Sequence, residues 1–64
     1  MKIQYFSDTD TLLMIFNNNM VTETRDFDEN TIIDLDEHGN LVSMTLEHAK
    51  ERADIHNFSY QIAA

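Results

Sequence analysis

The residues of this chain that could do chemistry are carboxylates and histidines: twelve Asp and Glu, three His and no Cys in 64 residues. The sharpest spacing is Asp34-x-Asp36-x-His38-Gly39. It overlays the first half of a calcium loop, in which alternate carboxylates converge on a hard cation and a glycine permits the sharp turn. The second half departs from that pattern. Its twelfth position, where a bidentate glutamate should close the coordination sphere, is Thr45, and the flanks alternate as strands where the motif needs helices. A hairpin turn with a left-handed glycine accounts for Gly39 and Asn40 with no metal.

The histidines suggest a second site. If residues 48–56 are helical, His48, Arg52 and His56 fall on one side, but His48 and His56 are then about 12 Å apart at 1.5 Å per residue. The arginine between them opposes a cation, and two such ligands cannot close a zinc site within one chain. A metal- or ligand-binding role for Asp34, Asp36 and the histidines is therefore the alternative reading, and no metal or cofactor is expected. Nucleophilic or phosphate chemistry has no support, because the chain lacks cysteine, G-x-S-x-G and a glycine-rich loop. Carboxylate pairs need a cleft to perturb one member before they act as acid and base. A chain this short offers little room for one, so no catalytic residue is assigned and the protein is not expected to be an enzyme.

The elements that must position these residues are short. Lys2 to Phe6 alternates as a strand, Ser7 to Asp10 are turn formers, and Thr11 to Phe16 is a continuous apolar run with the look of a central strand buried on both faces. Three asparagines, Asn17 to Asn19, make a turn. Met20 to Phe27 reads as a more exposed strand, and Asp28 to Asn30 as another turn. Thr31 to Asp36 and Leu41 to Glu47 form a hairpin around Gly39, the only glycine. In its second arm Val42, Met44 and Leu46 share one face, and Ser43, Thr45 and Glu47 the other. From His48 to His56 the residues are good helix formers. Phe58, Tyr60 and Ile62 alternate again, so residues 57–64 read as a last strand or an arm outside a core of 1–56. The aromatic residues and methionines (Phe27, Phe58, Tyr60 and Met20 among them) are expected mostly in the core. The expected fold is a single α+β domain: a small antiparallel meander of four or five strands with a C-terminal helix packed on one face.

Composition limits the partners. The net charge is −8, which repels nucleic acid and attracts basic proteins. Seven of the twelve acidic residues lie in one stretch: Glu23, Asp26, Asp28, Glu29, Asp34, Asp36 and Glu37, with only Arg25 against them. They are the candidate docking residues for a basic protein. A domain this small is only marginally stable alone, and without cysteine it cannot be stapled by disulfides. The helix covers one face of the sheet, so a second copy or an obligate partner covering the other is expected, with a homodimer, a complex with a small basic protein or a structural homo-oligomer as the outcomes. The start MKIQYF resembles no signal sequence and no apolar run is long enough to span a bilayer, which points to the cytoplasm and away from membranes.

The segments YFSDTDTLLMIF and ETRDFDENTIIDLDEHGNLVSMTLEHA resemble domain-of-unknown-function family 2283, a set of small prokaryotic proteins. The matching positions are Asp34, Asp36, Glu37, Gly39, Asn40, Glu47 and Ala49, each mostly hairpin grammar and moderately specific only together. Members often carry an Ala-Ser-Lys-like run where this chain has His48-Ala49-Lys50, and the resemblance ends near Arg52. The resemblance implies little about activity. Some members are encoded beside small toxin-like proteins of the RelE type, which implies an antitoxin-like role by association alone.

Overall fold

A computed structural model describes all residues, 1–64. Five strands form one antiparallel sheet: β1 (Lys2–Phe6), β2 (Thr11–Ile15), β3 (Glu23–Asp28), β4 (Thr31–Leu35) and β5 (Leu41–Glu47). A single helical turn, α1 (Ala49–Arg52), follows. The expected α+β sheet with a C-terminal helix is what the chain forms. Strand order departs from chain order at one place, running β1-β2-β5-β4-β3. The β1–β2 hairpin is therefore joined to the β3–β4–β5 meander through β2 against β5.

That order makes β5, not β2, the central strand. No residue of β2 is fully buried, so the expectation of a strand covered on both faces fails. Register explains why. Ile3 and Tyr5 oppose Met14 and Leu12, which oppose Met44 and Leu46, which oppose Ile33 and Thr31. Directly opposed side chains share a face, so these eight lie together. Leu13, Ile15, Ile32, Ser43 and Thr45 point the other way. Only the first face receives the rest of the chain, and the molecule is a slab 34 × 33 × 18 Å. No large side chain is fully enclosed.

The connection from β2 to β3 crosses the end of β5 and β4, about 14 Å at 4.7–4.9 Å per strand spacing. Two of the three asparagines, Asn17 and Asn19, hold it there. Asn17 donates to the Leu41 carbonyl at 3.1 Å, and Asn19 donates to Asp36 at 2.9 Å while its N–H bonds back to Asn17. Met20 and Val21 belong to this crossing and remain exposed. The third strand accordingly starts at Glu23 and not at Met20.

The helix is one turn and not the nine residues expected. Ala53 is extended, with φ −150° and ψ 157°. Propensity alone cannot hold so short a helix in water. Here the chain straightens after Arg52, and Ala53, Ile55 and Phe58, of which only Ile55 is half-buried, line a small apolar recess with Ile3, Leu12 and Met14. Residues 57–64 form no strand. Through Phe58 and Tyr60 they line an open apolar groove with Met1 and Ile3. Phe27, Phe58, Tyr60 and Met20, placed in the core by composition, are all exposed. A single covered face has too little interior for them.

Candidate interaction surface

The acidic stretch is divided by the sheet it forms. β3 is an edge strand exposed at every residue. Glu23 opposes Leu35 at the end of the sheet carrying the β4–β5 turn, and Asp28 opposes Thr31 at the other end. Five residues of strand separate these ends by about 17 Å. The seven carboxylates therefore do not gather in one patch.

Four of them are committed within the protein. Asp36, 7% exposed, holds the β4–β5 turn: Oδ1 accepts the N–H of His38 and of Asn40, each at 2.9 Å, and Oδ2 accepts from Asn19. The Asn40 N–H first, then Asn19 and His38, hold its pKa below 3.8. Asp34 accepts the hydroxyls of Thr24 and Ser43. Asp28 is held below 3.8 by the Asn30 N–H and then by the Arg52 guanidinium, which grips both of its oxygens at 3.0 and 3.3 Å. Glu23 pairs with Arg25, which lowers its pKa, through both guanidinium and carboxylate forks.

Asp26 and Glu29 have no such partners, and Glu37 has only the exposed imidazole of His38 beside it. Asp26 and Glu29 flank Phe27, where the β3–β4 register slips between Asp26 and Asp28. A bulge of this kind adds a residue without a cross-strand mate and re-aims its side chain. Phe27 is 72% exposed, an aromatic ring standing among carboxylates. The sequence contained this signal, a lone aromatic between Asp26 and Asp28, but its apolar character alone placed it in the core.

The metal alternatives lose their geometry. Asp34 and Asp36 aim at different donors, and nowhere do three His, Cys, Asp or Glu come together as a metal set. His48 precedes α1 with φ 54°, and His56 lies beyond its end, so no helix aligns them. His38 is an exposed neighbour of Glu37 at 3.4 Å. A polar recess of about 380 Å³ lies beside them, between Asn19, Met20, Thr22 and the turn.

A second cluster, at the far end of the sheet, was not visible from spacing. Tyr5 donates its hydroxyl to Asp10 at 2.6 Å, and Asp10 accepts the Lys50 N–H. Across that end, Arg52 also donates to Thr31 at 2.7 Å. The helical turn is thus pinned at one side by Asp10 and at the other by Asp28.

The model of a family described as "Protein of unknown function (DUF2283)" matches residues 2–50. The chain belongs to the DUF2283 family. The matched region runs from β1 through every strand to Lys50 in α1, so Arg52 and the residues after it lie outside it. No curated protein and no solved structure matches this DUF2283 member. No helix is long and apolar enough to cross a membrane.

Proposed function

We propose that this DUF2283 protein is a small acidic interaction module whose β3 edge docks a basic protein, in an antitoxin-like manner. The observation that carries this reading is Phe27, exposed at a bulge between Asp26, Asp28 and Glu29. Carboxylates alone set the sign and speed of an encounter, whereas buried aromatic anchors supply most binding energy. A basic protein with an apolar recess at its cationic site meets both. A ribonuclease whose RNA site is basic has this chemistry, and the carboxylates would stand where phosphates bind. Asp36 and Asp34 belong to the turn and the sheet and take no part in docking. Asp26, Phe27 and Glu29 do.

The test is capture from a lysate of the source cells at low and high salt, with the wild-type chain and three variants side by side. A stoichiometric basic protein should bind the wild type and release as salt rises. Phe27→Ser and the double variant Asp26→Asn/Glu29→Gln should each lose it, and Asp8→Asn should keep it. Equal capture by all four, or no basic protein at all, defeats the proposal.

A further inference from the structure

We propose that two copies of the chain pair edge to edge through β1, antiparallel about Gln4, so that two five-stranded sheets become one sheet of ten.

The two edges of the sheet are built differently. β3 carries Glu23, Arg25, Asp26 and Asp28 and is broken by a bulge. Charges and bulges are how sheet edges avoid pairing with other chains. β1 has neither device. Its register against β2 is unbroken from Lys2 to Phe6, it contains no carboxylate, and its outer side faces no other strand. One edge is closed to pairing and the other is open.

Charge selects the same edge. Two copies at −8 each repel over most of their surfaces. Residues 1–6 hold no acid and one base, Lys2. Arg25 and Arg52 are ion-paired and Lys50 lies in the field of Asp10, while Lys2 has no carboxylate partner. Antiparallel pairing about Gln4 places Lys2 beside the partner's Phe6 and the turn that bears the partner's Asp8. It also sets Ile3 against the partner's Tyr5 and Gln4 against the partner's Gln4. No like charges meet. Stacking the two uncovered faces instead would bring Asp26, Asp34 and Glu47 of each copy together, and this disfavours it.

Area and shape agree. The chain exposes 5029 Å², whereas a compact protein of its mass exposes about 4,200 Å². Part of that excess belongs to residues 57–64, which are exposed throughout, and the rest leaves surface for a partner. Beside β1 an apolar groove of about 400 Å³ runs between Met1, Ile3, Phe58 and Tyr60. Twofold pairing along β1 keeps the groove faces of both copies on the same side. The partner's Ile3 and Tyr5 then adjoin that groove.

Light scattering on the eluting full chain should give twice 7.5 kDa. Gln4→Lys and Gln4→Glu, which place like charges opposite each other across the twofold, should each weaken the dimer at least about tenfold. Mixing the two variants should restore a heterodimer. Thr45→Lys, central on the uncovered face, and Asp26→Lys, on the β3 edge, should leave the dimer intact. Far-ultraviolet circular dichroism of each variant separates lost pairing from lost folding. A monomeric wild type overturns the proposal. So does a dimer that ignores Gln4 and dissolves with Thr45→Lys, which would be a stacked pair. A dimer broken by Ile62→Asp but not by Gln4→Lys would be an exchange of arms and overturns it equally, as does failure of the mixture to reassociate.

Discussion

Asp10 accepts the backbone N–H of Lys50, 3.1 and 3.3 Å from its two carboxylate oxygens, across forty residues of chain. Its carbonyl also accepts the Ala49 N–H at 3.0 Å. Asp10 thus satisfies two N–H groups that a helix start leaves without internal partners. It does so from a positive φ of 55°, a conformation that aspartate tolerates better than most residues. This contact closes the molecule: it joins the first hairpin to the segment that covers the sheet.

The Tyr5 hydroxyl bond to Asp10 has an alkaline signature. That bond, then burial, raises the Tyr5 pKa from 10.0 to about 12. A raised folded pKa gives stability that is complete below the unfolded value and lost as pH climbs through the folded one. Between pH 10 and about 12 the wild type should therefore lose thermal stability that Tyr5→Phe never had. With Tyr60→Phe as background, the phenolate absorbance of Tyr5 should rise only toward pH 12. Its appearance near pH 10 would show that the bond is absent in solution.

At the acid end the sign reverses. Asp10 is held below 3.8 by the Tyr5 hydroxyl and then the Lys50 N–H, and Asp28 and Asp36 lie below 3.8 for the reasons given above. Their contribution is present above 3.8 and is lost as pH falls through the folded values. Relief of repulsion among excess carboxylates opposes this at milder acidity. The unfolding midpoint should hold or rise slightly to about pH 5 and drop below 3.8. Asp36→Asn should flatten the drop. An unchanged drop in that variant would place the linkage elsewhere.

Gly39 isolates the backbone cost of the hairpin. Its φ is 80°, its N–H bonds to the Asp36 carbonyl at 3.1 Å, and a Cβ added there would meet nothing within 4 Å. Gly39→Ala should therefore cost about 1 kcal/mol through φ alone. Gly39→Asn should cost less and Gly39→Val more. Chemical denaturation of the three checks the order, and equal losses would point to a side-chain clash instead.

Ala49 is 0% exposed beneath the helical turn. Enlarging it must lift α1 from the sheet, because the ties to Asp10 and Asp28 leave no slack. Ala49→Leu should destabilise by about 1–3 kcal/mol and speed amide exchange at Glu51 and Ala53, whose N–H groups close the turn. Exchange confined to other residues would contradict this.

Strand existence was legible from residue order because period-two patterning is local. Val42, Met44 and Leu46 announced β5, and Asp36 to Asn40 announced its turn, since both depend on neighbours only a few residues away. Membership of Gly39 and Asn40 in a glycine-bulged turn followed from the same grammar. Four outcomes were settled only in three dimensions. β5 became central because β2, distant in sequence, closed against it. The helix stopped at Arg52, where the backbone turns extended and carries Ile55 toward Ile3, Leu12 and Met14 on the sheet. Phe27 left the core because a register slip, which no single strand encodes, re-aimed it. Asp36 left the docking surface because Asn19 arrived from the crossing to complete its bonds. Local patterning determined which segments are strands; which strand meets which, and so which carboxylates face outward, depended on contacts between residues far apart in the chain, whose energies no local spacing contains.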